Sequence, residues 1–329
     1  GVAGFDIETA GTLVENLDAV SYSLTGLTGN TEYDVYVKAV CSDSEESEWR
    51  STSFRTECGL QTIPYAEGFE DVTGSYAIPT CWERIVEYTS YGSTYPYVYS
   101  YGAHNGSKCL YMYSYPYYDT YENIIALPEM NSISTLQISL WAKASSTIPE
   151  NFEIGYIKNG VFTSVQSFAL TTTYQQFTAY LNGAPADAEK IAIRAHHSSS
   201  SITVYVDDIE VSPMPTCIAP VDVVVSGITT NAASVSWTDV LPATAWQYQL
   251  NDSEIADAES NPINLTGLTA NTEYTIKVRT ACGEGEYSDW ATITFTTLCD
   301  AIAEFPFTEG FELTTRPGCW TEETTGTHY

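Results

Sequence analysis

The chain is 329 residues long, and its 42 acidic against 12 basic residues give a formal net charge of −30. Nucleic acid and anionic membrane surfaces both need basic patches, so such a balance argues against them as partners. Apolar residues make up 43 % of the chain, enough for globular cores, and no apolar run reaches the length of a membrane span.

One passage occurs twice. Residues 24–58 read LTGLTGNTEYDVYVKAVCSDSEESEWRSTSFRTEC, and residues 265–299 read LTGLTANTEYTIKVRTACGEGEYSDWATITFTTLC. The offset is 241 throughout, so Tyr33 maps to Tyr274 and Cys41 to Cys282. A second element follows each copy: YAEGFED…PTCW at 65–82 and FTEGFEL…PGCW at 307–320. A repeat this long signals an array of whole domains. The first copy lacks its start and the last element most of its body, so the expectation is a longer natural protein.

In chain order, residues 1–58 are read as a partial sandwich starting at its third strand. Phe5 and Ile7 align there with Trp246 and Tyr248. The missing strands are expected upstream; the alternative is donation by a neighbouring molecule. Residues 59–214 carry segments such as CWERIV, YPYVYSY, KCLYMYSY, TLQISLWAKA, FEIGYI, TYQQFTAYL, KIAIRAH and ITVYVDDIEV. Their period-2 alternation is the strand signature, and so many strands at this length suggest a jelly roll. Residues 215–299 form one complete sandwich from VDVVVSG, ASVSWT, WQYQL, TEYTIKVRTA and ATITFTT, with Trp237 on its second strand. Residues 300–329 are the truncated start of a second jelly roll. The predicted fold class is all-β, two domain types alternating in an elongated array.

Two resemblances sharpen this. The L-x-x-x-T-x-Y pattern at Leu268–Tyr274 and Leu27–Tyr33 looks like a tyrosine corner, and the 215–299 segment resembles a fibronectin type III domain along its whole length. EGFE, P-x-C-W, SLWAKA and a closing YVDDIEV resemble the cleaved-adhesin, or choice-of-anchor J, modules, which are MAM-like jelly rolls of bacterial surface adhesins. The sandwich resemblance implies a Cys217–Cys282 disulfide and leaves Cys41 without a partner in this sequence. The MAM-like resemblance implies Cys58–Cys81 and, by repetition, Cys299–Cys319, with Cys109 a buried thiol; Cys81–Cys109 is the competing scheme. Eight cysteines in register with the repeats point to an oxidising compartment.

Three groups of residues are candidates for chemistry. Glu67 and Glu70 on the first jelly-roll strand, and Asp207 and Asp208 on the last, converge if those strands meet, and Asn105 in the HNGS turn adds an oxygen. Calcium takes six to eight oxygens, and the related modules hold structural calcium in such a place. The competing reading is solvated acids on an acidic surface. Glu309 and Glu312 match Glu67 and Glu70, but no site is expected without a partner strand.

The second group is aromatic. Twelve of the 25 tyrosines lie between Tyr88 and Tyr121. Tyr95, Tyr97, Tyr99 and Tyr101 alternate, as do Tyr111, Tyr113, Tyr115 and Tyr117, so each set shares one strand face. With Leu110 and Met112 inward, the tyrosines face out and suit stacking on sugars or docking to protein. The competing reading is a cross-strand ladder that stabilises the sheet.

The third candidate, catalysis, is disfavoured. Only His104, His196, His197 and His328 are present, without a nucleophile elbow or metalloprotease motif. Sequons at Asn105, Asn251 and Asn264 carry little weight.

The resemblances imply a secreted or bacterial cell-surface protein, exported by a type IX system, acting in adhesion or as a filament. Its partners would be glycans, surface proteins or copies of itself. The alternative is a non-catalytic substrate-binding region of a secreted protease or glycanase.

Overall fold

The computed structural model describes residues 11–14, 21–42, 45–90, 93–115, 122–310, 312 and 319–320. The chain divides into two compact units, Gly1–Pro213 and Met214–Tyr329. Apart from two short 3-10 turns, the regular structure described is all strand, and no helix described is long and apolar enough to cross a membrane.

The first unit opens with a two-stranded ribbon, Glu32–Val37 paired antiparallel with Arg50–Arg55. Most of the unit is a sandwich of two antiparallel sheets. One sheet runs in the order Gln175–Tyr180, Leu136–Ala144, Ile202–Pro213, Cys109–Ser114, Tyr97–Tyr99, with Tyr65–Glu67 added along the far half of Ile202–Pro213. The other runs Val161–Phe168, Asn151–Lys158, Lys190–His196, Glu122–Ala126, Glu83–Val86.

Alternation produces the layering. In LQISLWAKA every odd position is buried and every even one half-exposed. Leu140 and Ala142 therefore join the core, while Trp141 and Lys143 stand on the outer face. A one-residue slip would bury Lys143 and expose five apolar side chains, so the register is strongly specified. Leu110, Met112, Ile138, Val204 and Val206 from this sheet meet Phe152, Ile154, Ile191 and Ile193 from the other in one core.

Four expectations change here. Glu70 lies beyond the first strand, which ends at Glu67. The YPYVYSY stretch is not one strand: Tyr95 closes a hairpin against Tyr88, Pro96 interrupts, and only Tyr97–Tyr99 pairs with Cys109–Ser114. Proline has no N–H for a ladder, so the pairing must break and restart there. Tyr101 and Tyr115 follow the ends of their strands, and Tyr117 lies outside the described residues. Strands Glu122–Ala126 and Val161–Phe168 were not anticipated.

The second unit contains a complete sandwich. Val221–Ser226, Ala232–Thr238 and Ile263–Thr266 form one sheet; Ala256–Ala258, Trp246–Leu250, Glu273–Gly283 and Ala291–Thr296 form the other. Trp237, Ile276, Val278 and Phe295 are buried between them. The Tyr274 hydroxyl accepts the Thr269 N–H at 2.9 Å, and in the first copy Tyr33 accepts from Thr28 at 2.8 Å, so both corners form. Val37 in the ribbon is 60 % exposed, whereas its counterpart Val278 is fully buried. Phe5 and Ile7 lie outside the described residues. Beyond Thr296 the described residues hold no strand.

All three expected disulfides are present, Cys58–Cys81, Cys217–Cys282 and Cys299–Cys319. Cys41 is an exposed free thiol and Cys109 a buried one. Burial pushes the Cys109 thiol up to about 12, which keeps it protonated and inert.

Candidate functional site

Glu70, Asp207 and Asp208 grip one loop, while Glu67 accepts the N–H of Phe69 at 2.6 Å. Glu67 and Ile209 face each other across the Tyr65–Glu67 and Ile202–Pro213 pairing, which brings the two acidic segments together as expected. Glu70 reaches the 104–108 loop: one carboxylate oxygen accepts the N–H groups of Ser107 (2.8 Å) and Lys108 (2.7 Å), and the other accepts the Ser107 hydroxyl (2.7 Å). Lys108 returns its ammonium to the carbonyls of Glu70 (2.6 Å) and Val72 (2.8 Å). The Ser107 hydroxyl and both N–H groups hold the Glu70 carboxyl below its ordinary range.

Asp207 holds the same loop from the other side. It is fully buried, and one oxygen accepts the N–H groups of His104 (2.8 Å) and Asn105 (3.1 Å). Asp208, in the left-handed region at φ 46°, meets the His104 ring at 2.7 Å. Consecutive strand residues normally point to opposite faces. A bulge opposite Ser139–Trp141 breaks that rule and lets both acids serve one loop. The Asn105 side-chain oxygen accepts the N–H of Gly106.

An all-oxygen donor set of this kind suits calcium. Two observations bear on the fit. Burial raises the carboxyls of both Asp207 and Glu67, and neither pairs with a cation among the described residues, which is the circumstance a bound divalent ion would relieve. Against this, Glu70 and Asp207 already receive N–H donors, and no three acidic, His or Cys side chains gather as a metal group among the described residues. The donor chemistry fits; a closed shell is not formed.

Tyr97, Tyr99, Tyr111 and Tyr113 lie on the outer side of the same sheet, with Leu110 and Met112 fully buried behind them. Tyr111 sits directly opposite Tyr97 on one side and Tyr205 on the other. The rings form a continuous belt: Tyr95 lies within 5.1–5.7 Å of Tyr97, Tyr111 and Tyr113, and Tyr99 lies 5.1 Å from Tyr111. Tyr101 extends it from Tyr99 at 6.4 Å, and Tyr76 from Tyr97 at 5.1 Å. Burial raises the phenols of Tyr97, Tyr111 and Tyr205, so they remain neutral donors and acceptors. Mutual packing makes the rings a cross-strand ladder, and within it Tyr99 and Tyr101 are exposed while Tyr95, Tyr97, Tyr111 and Tyr113 are half-buried.

Sequence reasoning missed the continuation of this belt. His104 stacks on Trp141 at 3.9 Å and 12°, and Tyr174 meets His104 edge-on. Lys143 rests over the Tyr174 ring at 4.4 Å and the Tyr205 ring at 5.4 Å. Trp141, Lys143 and Tyr205 could have been found from alternation in SLWAKA and ITVYVDD; nothing local marks Tyr174.

His197 is structural in geometry, whereas the buried Nδ1 of His196 has no hydrogen-bond partner among the described residues. His197 Nδ1 accepts the N–H groups of Ser199 and Ser200 at 3.1 Å, and the Ser198 hydroxyl donates to Glu150 at 2.6 Å. That hydroxyl has no imidazole base positioned on it. His328 lies outside the described residues.

Residues 218–297 match the fibronectin type III domain family. No curated protein matches the chain. Among solved structures it is similar to the K1 and K3 cleaved adhesin domains of Lys-gingipain from Porphyromonas gingivalis W83. Identities are 16 % and 18 %, coverage is 47 % and 45 % of this chain and 100 % and 97 % of those, and TM-scores are 0.37 and 0.34. The glycoside hydrolase domain of Endo-D from Streptococcus pneumoniae R6 aligns at 12 % identity over 61 % of this chain and 35 % of its own, with TM-score 0.28.

Proposed function

We propose that this chain is a non-catalytic binding segment of a secreted or cell-surface protein, acting in adhesion through the tyrosine belt of the 59–214 sandwich. The observation that carries the reading is the belt itself. Neutral aromatic side chains are packed into fixed positions on an outer sheet face. Pre-ordered rings lose little entropy on contact, which is why such residues dominate binding surfaces. The disulfides and the net charge of −30 suit an oxidising extracellular fluid. Type IX export and assembly into a filament are the finer form of the same reading.

The test is capture on glycan and host-protein arrays by the chain and by a variant with Tyr97, Tyr99, Tyr111 and Tyr113 changed to Ser. The variant should lose at least about tenfold in capture, since aromatic anchors carry most of a contact's energy. Unchanged capture by a variant that still folds would overturn the assignment of the surface.

Structural calcium held by Glu67, Glu70, Asn105, Asp207 and Asp208 belongs to this proposal. When bound it would offset the buried carboxylates and tie the 104–108 loop to the closing strand. Chelator should then lower the melting temperature of the chain, and Asp207→Ala should remove that sensitivity. Identical melting with and without chelator counts against the ion.

A further inference from the structure

We propose that Lys143 is an anion subsite at the end of the tyrosine row, and that the ligand of this face is a glycan whose terminal sugar carries one carboxylate. This rests on the reading that the tyrosine face binds.

The row is set by register. Lys143 faces Tyr205, Tyr205 faces Tyr111, and Tyr111 faces Tyr97, one residue from each of four neighbouring strands. The spacing is even: 5.4 Å from the ammonium to the Tyr205 ring, 5.4 Å on to Tyr111 and 5.5 Å on to Tyr97. A linear track of this kind, one contact per strand, matches a chain of rings laid across the sheet.

Lys143 is the one cationic side chain on the six strands of this sheet. Its ammonium has no carboxylate or hydrogen-bond partner among the described residues. In that it differs from the other lysines near it in sequence and fold. Lys158 pairs with Asp187, Lys190 with Glu83, and Lys108 binds two carbonyls. A half-buried cation left unpaired in a chain with 42 acidic residues is unusual. Its two ring contacts offset part of the desolvation cost, on the order of 0.5–2 kcal/mol each, and leave the outward side of the ammonium for an anion.

The overall charge limits how many anionic groups the ligand carries. A net −30 repels a polyanion at long range, while a single carboxylate seated on Lys143 meets one fixed cation at contact distance. The neutral phenols along the row then address uncharged sugars through ring faces and hydroxyls.

The experiment is an array of matched oligosaccharide pairs that differ only in a terminal sialic or glucuronic acid, probed with the full chain, Lys143→Met, Lys143→Arg and Tyr205→Ser. The wild type should prefer the acidic member by about fivefold, the worth of one partly exposed ion pair. Lys143→Met keeps the apolar stem and should bind both members at the neutral level; Lys143→Arg should keep the preference; Tyr205→Ser should lose both. Equal binding of the pair by wild type, a preference that survives in Lys143→Met, or stronger binding to a sulfated polymer overturns the anion subsite alone. Binding to neither member, or full binding by Tyr205→Ser, overturns the underlying reading of the face.

Discussion

Gly106 occupies a left-handed position, φ +65°, where a Cβ would stand 2.5 Å from the Glu70 carboxylate oxygen. Glu70 can receive three donors from Ser107 and Lys108 only because that space is empty. Alanine there must adopt a strained backbone and also push aside a pinned carboxylate. Gly106→Ala should therefore cost about 2–3 kcal/mol, combining a left-handed non-glycine residue with weakened charge-assisted bonds. Gly59→Ala is the control: nothing lies within 4 Å of its Cβ position and its φ is unstrained. Urea unfolding followed by tryptophan fluorescence measures both. Equal, small shifts would show that the loop yields and that the Glu70 clamp is not rigid. Gly102 is constrained in the same way by Tyr205, whose ring carbon would lie 2.9 Å from a Cβ at φ +85°.

The strand Ile202–Pro213 does the most for the site, and its sequence shows what can be read in advance. Ile202, Val204 and Val206 are buried two apart; the next buried apolar residues are Ile209 and Val211. That jump from 206 to 209 is the bulge, visible as a break of phase in ITVYVDDIEV, and it falls on the two aspartates. Strict alternation would instead have sent Ile209 and Val211 into solvent. The outward tyrosines and the inward Leu110 and Met112 were likewise legible from period 2 alone. Other features were not. Val161–Phe168 is an edge strand with half its residues exposed, so its pattern is blurred. Glu122–Ala126 is too short a run for periodicity to type. The His104–Trp141–Tyr174 stack joins three segments distant in sequence, which only sheet order brings together. The disulfides followed from family likeness and not from spacing.

Across the whole molecule, charge opposes compaction and covalent links oppose unfolding. A net −30 with few ion pairs among the described residues leaves substantial self-repulsion in each unit. The smaller core of the second unit, built around Trp237, Ile276, Val278 and Phe295, has less burial to set against it than the sandwich of the first unit. Cys217–Cys282 acts there: it closes a separation of 65 residues, spanning from the entry of that domain to the end of its longest strand. Chain-entropy arguments give such a link about 4 kcal/mol. Cys299–Cys319 closes 20 residues after the last strand of the domain and crosslinks no part of its core. Replacing Cys217 and Cys282 by Ser should therefore lower the stability of this domain by about 4 kcal/mol in calorimetry. The Cys299→Ser, Cys319→Ser pair should leave the same transition within about 0.5 kcal/mol, as surface changes usually do. If both pairs shift it equally, the terminal segment packs on the domain and contributes to its stability.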